Sequence, residues 1–145
     1  MAERQLAAKS MLLYMGTGAG SPEIFELIAC STSHGLNQSS SPITTETFCG
    51  QLSVPGTKDA TAPFAMIPNI DPAAGKVALD TLQTAYAAGT AKNWKMTTAG
   101  QAAGDPIISF TGFISEFNYD ASGDFFNTSG SVQVSPESVE LEFVP

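Results

Sequence analysis

Two short apolar runs open the chain, at residues 11–15 and 24–28, with Gly16-Thr-Gly-Ala-Gly-Ser-Pro22 between them. Runs this short, bounded by breakers, predict two strands joined by a glycine-rich turn. From Ser31 to Pro63 the hydrophobic signal thins into Ser, Thr, Gly, Asn and Pro. Residues 43–48 and 51–54 keep some strand character, interrupted by Cys49-Gly50, and 55–63 has the composition of a loop. The expectation here is a long polar loop over about 37–62, a length that in a compact domain points to function or to disorder.

Asp71-Pro72 is a helix-start signal, a capping carboxylate followed by proline at the first helical position. Val77, Ala78, Leu82, Ala85 and Tyr86 then recur at three-four spacing, and Gly89 supplies a left-handed stop. One amphipathic helix over about 72–88 is predicted, packed on a sheet. Beyond it, 93–98 reads as a strand with Trp94 and Met96 on one face. Residues 107–119 place Ile108, Phe110 and Ile114 on one side and Thr111, Phe113, Ser115, Phe117 and Tyr119 on the other. A hairpin turn at 120–124 leads into a strand where Phe126, Thr128, Val132 and Val134 alternate with Asn127, Ser129, Ser131, Gln133 and Ser135, and 139–143 alternates again. The fold class is mainly β: a β-sandwich or barrel with one flanking helix, in a single domain over 1–145.

Charge changes the picture more than hydrophobicity does. Charged residues make up 14% of the 145-residue chain, against roughly 25% in an average soluble domain. Six Lys and Arg against fourteen Asp and Glu leave a net charge of −8, and no cluster of cations suited to gripping phosphates. Conventional nucleic-acid binding is excluded. A weakly negative conduit that lets a phosphate backbone slide is compatible with that charge. A polar, sparsely charged surface favours self-assembly. The face of 127–135 is neutral and polar where a water-facing edge usually carries charge, which suits sheet edges paired with other copies.

Candidate chemistry is thin. Gly16-x-Gly18-x-Gly20 lacks the helix that a dinucleotide loop needs directly after it. Cys30 and Cys49 read as two free, buried thiols, and with the lone His34 they cannot complete a zinc site. His34 has no assignable nucleophile or orienting carboxylate and reads as a loop histidine. Glu116, Asp120 and Asp124 along one hairpin lack the tight alternation of a calcium loop. No enzyme, cofactor or metal is predicted. No run approaches the ~18 apolar residues of a membrane span, and the short run at 11–15 is no signal peptide core, so folding in a cytoplasm without membrane anchoring is expected.

The order of features resembles the major tail tube protein of long, non-contractile-tailed bacteriophages. The resemblance rests on the β-rich start from Leu12, the polar stretch before Pro63, the helix after Asp71-Pro72, and Trp94 in the next strand. Asp105-Pro-Ile-Ile-Ser-Phe-Thr-Gly-Phe-Ile-Ser-Glu-Phe117 and Gly130-Ser-Val-Gln-Val134 complete it. That family is related to the tubes of contractile tails and type VI secretion, and it has no catalytic residues to carry over. The resemblance implies hexameric rings, sheets joined around a lumen, and rings stacked into a tube through which genomic DNA passes without specific binding.

It further implies a virion-tail location after assembly in the host bacterial cytoplasm. The implied partners are other copies of the chain, a tape measure protein, and tail terminator or tip proteins. Contacts between rings or subunits are then expected at Asn37, Ser40, Pro42, Thr45, Pro55, Lys58 and Asp59. The lumen-facing acidic candidates are Glu46, Glu116, Asp120 and Asp124. Termini 2–10 and 137–145 are expected to be flexible and to order on assembly, with the helix away from the lumen. The alternatives are a type VI-like tube ring, a capsid decoration protein, or a small hydrolase or ligand-binding barrel using His34.

Overall fold

A computed structural model describes residues 11–18, 20, 22–28, 31–68, 75–98, 100–121 and 126–145. The two N-terminal apolar runs are strands β1 (Met11–Gly16) and β2 (Phe25–Leu27), paired antiparallel as their pattern predicts. Then come β3 (Ser31–His34), β4 (Asn37–Thr47) and β5 (Gly50–Met66). One helix, α1 (Leu79–Ala88), separates these from β6 (Lys92–Thr98), β7 (Pro106–Asp120), β8 (Asn127–Val134) and β9 (Glu140–Phe143).

The described strands form one sheet in the order β2-β1-β6-β7-β8-β5-β3, with β4 on β5 and β9 on β7. Laid flat, that seven-strand path would hold its ends roughly 29 Å apart at ~4.8 Å per strand. Yet Leu27 ends β2 and Ser31 opens β3, so four Cα steps of ~3.8 Å limit the gap to about 15 Å. The sheet must therefore curl, and β3 does lie against β1. Of the two β architectures expected, the sheet takes the barrel-like one.

Inward positions at period two fill the barrel. Leu13, Met15, Phe64, Met66, Trp94, Phe110, Ile114, Val132 and Val134 are all buried, with Val77 from the segment before the helix and Leu82 from the helix itself. The Trp94 indole N–H donates to the Gly112 carbonyl at 3.1 Å, so the one polar atom of the largest core side chain is satisfied.

Five expectations need correction here. Residues 37–62 are no loop: β4 and β5 pair in register from Asn37↔Thr61 to Thr47↔Gly50. Their neutral Ser/Thr composition hid a ladder whose partner is the chain's own next segment. The helix starts at Leu79, not at 72. Lys76 instead forms a parallel bridge with Leu27 of β2, with the Leu27 N–H donating to Gly75 O (2.8 Å) and the Val77 N–H to Leu27 O (2.9 Å). Asp71-Pro72 lies outside the described residues. Gly89 does cap the helix, at φ 64°.

The third correction concerns Phe117, placed by simple alternation on an outer face with Thr111 and Phe113. A register shift between Ile114 and Glu116 adds a residue to β7 and inverts the phase, so Phe117 is buried against Phe64. Gly130 sits opposite this bulge, where a Cβ would stand 2.5 Å from the Glu116 carbonyl oxygen. Last, Cys49 is exposed, and His34 lies in β3 opposite Phe64 rather than in a loop. Cys30 is outside the described residues.

Candidate assembly surface

β5 runs as a barrel strand only from Ala60 to Met66, where it pairs with β8. Toward its start, residues 50–59 are bound on one side by β4 alone, and β4 is exposed along its whole length. The two strands make a free arm reaching ten residues past Ala60, about 33 Å at roughly 3.3 Å per residue. β-branched Ile43, Thr44, Thr45, Thr47 and Val54 suit the extended backbone. Phe48-Cys49 forms a two-residue turn between Thr47 and Gly50, and the Cys49 N–H donates to Thr47 Oγ1 at 3.2 Å. At the root, Gln133 Nε2 donates to Asp59 Oδ1 (2.9 Å) and to the Ala60 carbonyl (3.2 Å), bracing the arm on the barrel.

Residues directly opposite in an antiparallel pair share a face. Ile43↔Val54 and Thr45↔Leu52 therefore make one apolar face, and Thr44↔Ser53 and Glu46↔Gln51 a polar one. Ile43 and Leu52 are each 58% exposed, and Phe48 at the tip is fully exposed. This apolar face was missed in the sequence. Its signal was the alternation Ile43-x-Thr45-x-Thr47 and Leu52-x-Val54 about a two-residue turn.

All seven predicted contact positions fall on this arm. Ser40 faces Lys58, Pro42 faces Pro55 across a register shift, Thr45 faces Leu52, and Asn37 and Asp59 lie at the root. The acidic candidates are spread apart. Glu46 is near the arm tip, Asp124 is outside the described residues, and Glu116 and Asp120 share the outer face of β7. That face continues across β8 and β5 as Asn127, Ser129, Ser131, Gln133, Thr61 and Pro63, polar and almost uncharged. Glu116 accepts from Asn118 Nδ2 at 2.7 Å. The segment read as a C-terminal tail is a 3-10 turn (Pro136–Ser138) and strand β9 on Pro106–Ser109. Glu140, Leu141, Glu142 and Phe143 are all exposed there. Among the described residues no group of three His, Cys, Asp or Glu is placed to hold a metal.

No family model and no curated protein matches the sequence. Solved structures do match the fold. The SPP1 tail tube aligns at TM-score 0.74 and 15% identity over 96% of this chain and 81% of that one. This is the tail-tube fold. The same fold appears in the tail of an empty gene transfer agent particle, computed with C6 symmetry, at TM-score 0.69 and 14% identity over 97% of this chain and 100% of that one. It appears again in the sheath-tube complex of an extracellular contractile injection system, PVC, at TM-score 0.68 and 14% identity over 98% of this chain and 94% of that one. The tail-tube fold spans barrel, helix and arm together, since the alignments leave almost no residue of this chain out.

Proposed function

We propose that this chain is the structural subunit of a phage-type tail tube. Six copies close into a ring, rings stack into a tube, and genomic DNA passes through the lumen during ejection. The near full-length likeness to the SPP1 tail tube is the observation that carries this reading. The subunit resides in the virion tail, is assembled in the host cytoplasm, and works with a tape measure protein and with terminator and tip proteins. It has no catalytic role.

The physical features agree with it. The polar, sparsely charged outer face of β7, β8 and β5 suits a lumen, because Ser, Thr and Asn offer passing phosphates no cation to bind, while Glu116 and Asp120 repel them. Joining sheets around a ring removes exposed strand edges. The arm, with Ser40, Pro42, Thr45, Pro55 and Lys58, meets a neighbouring ring or subunit, and Asn37 and Asp59 sit at its root. Glu46 and Asp124 stand as further lumen candidates beside Glu116 and Asp120. Negative-stain electron microscopy over a range of concentrations tests the reading. Long hollow tubes wide enough for duplex DNA are expected. Closed particles that never elongate at any concentration would overturn it.

A further inference from the structure

The arm and a second feature of the molecule lie at opposite ends of the same strands. Met66 in β5 pairs with Thr128, which pairs with Tyr119; Ala60 pairs with Val134, which pairs with Gly112. The arm leaves beyond Ala60, so its tip points away from Tyr119. At the Tyr119 end, Leu79, Asp80 and Gln83 of α1 and Tyr119 of β7 line a cleft of about 340 Å³. Tyr119 gives this cleft its aromatic wall, and its ring is held by neighbours behind it: Phe117 meets it edge-on at 5.3 Å, and Phe126 stacks on it at 5.8 Å with ring planes 3° apart. The Tyr119 hydroxyl donates to Gln83 Oε1, fixing the ring's position. Tyr119 and Phe126 are nonetheless 47% and 44% exposed.

Resting on the tail-tube reading, we propose that this cleft is the acceptor for the arm of a second copy of the chain, with Phe48 as the side chain that fills it. Three observations select that occupant. A two-stranded hairpin is marginal alone in water, and this one carries an apolar face and a fully exposed phenylalanine at its tip. Residues 37–59 match the ~20–30 residues per side of a stable interface. The chain's own arm cannot turn back, because its tip stands about 50 Å along the strands from the Tyr119 end, sixteen residues at roughly 3.3 Å each from Gly50 to Met66. Aromatic rings meeting edge-on or offset add attraction beyond burial, which favours Phe48 over an aliphatic tip. One tip and one cleft per copy make the contact head-to-tail, a geometry that propagates instead of closing as a dimer.

Cys49, exposed next to Phe48, makes the proposal directly testable in the full-length chain. Asp80→Cys places a thiol on the exposed rim of the cleft. Copper-phenanthroline oxidation is expected to give a non-reducing ladder of dimers, trimers and larger species, with Cys49 linked to the new cysteine by peptide mass. The ladder is lost when Cys49→Ser is added. Phe48→Ser is expected to raise the concentration needed for assembly at least tenfold, and Phe48→Tyr to restore most of it. Tubes that form without the link, or linked only Cys49 to Cys49, overturn the cleft and leave the tail-tube reading standing. No elongated assembly and no link at any concentration overturns both.

Discussion

Gly130 shows how one side chain is decided by its neighbour's backbone. The bulge in β7 brings the Glu116 carbonyl oxygen within 2.5 Å of where a Gly130 Cβ would stand. Gly130→Ala is therefore expected to destabilise the fold by about 1–3 kcal/mol, as overpacking in a closed core does, read from urea unfolding. Trp94 gives the complementary case. Trp94→Phe keeps most of the apolar volume but removes the donor to the Gly112 carbonyl, and about 1–2 kcal/mol of stability should go with it. Trp94 and its inward face were legible, because the Trp94-x-Met96 alternation needs only local periodicity. The need for glycine at 130 was not, since it depends on a carbonyl fourteen residues away in sequence.

At the scale of elements, the arm and the helix had opposite legibility. Gly89 announced the end of α1 by its ability to take φ 64°, and Gly89→Ala is expected to cost about 1 kcal/mol in the same unfolding measurement. The start of α1 was misplaced because Asp71-Pro72 is a local signal, while the backbone bonds to Leu27 that hold 75–77 beside β2 come from a distant strand. The arm is a strand pair without a core, so it lacks the inward apolar row that marks β6 or β8. Replacing residues 40–58 by Asn-Gly joins Ser39 to its register partner Asp59 through a two-residue turn. That variant is expected to unfold with the cooperativity of the parent and to form no tubes in electron micrographs. Normal tubes from it would remove the arm from assembly.

The whole molecule carries a net charge of −8 on 145 residues, and any ring multiplies that charge. Like-charged subunits repel over about 10 Å at 0.1 M salt and farther below it. Raising ionic strength from about 0.01 M to 0.15 M is thus expected to lower the concentration at which light scattering reports assembly. The opposite salt trend would point to attractive ion pairs between copies, for which six basic residues leave little material. Curling the sheet brings β3 against β1 and leaves the arm as a long strand pair that extends beyond the barrel from a root braced by Gln133. On the proposed reading, the curled sheet folds alone and the arm finds its packing in another copy.

Local periodicity, composition and turn chemistry determined the β class, the paired N-terminal strands, the β7–β8 hairpin and the helix stop at Gly89. These features depend on residues within a few positions of one another. Only the tertiary structure decided the curl of the sheet, the inward turn of Phe117, the late start of α1 and the conversion of a polar stretch into an arm. Each of those rests on strand pairing, register or backbone bonds that local periodicity does not encode. Ser, Thr and Asn in the arm are equally at home in a loop or on a solvated strand, and the register with a partner strand is what chooses between them.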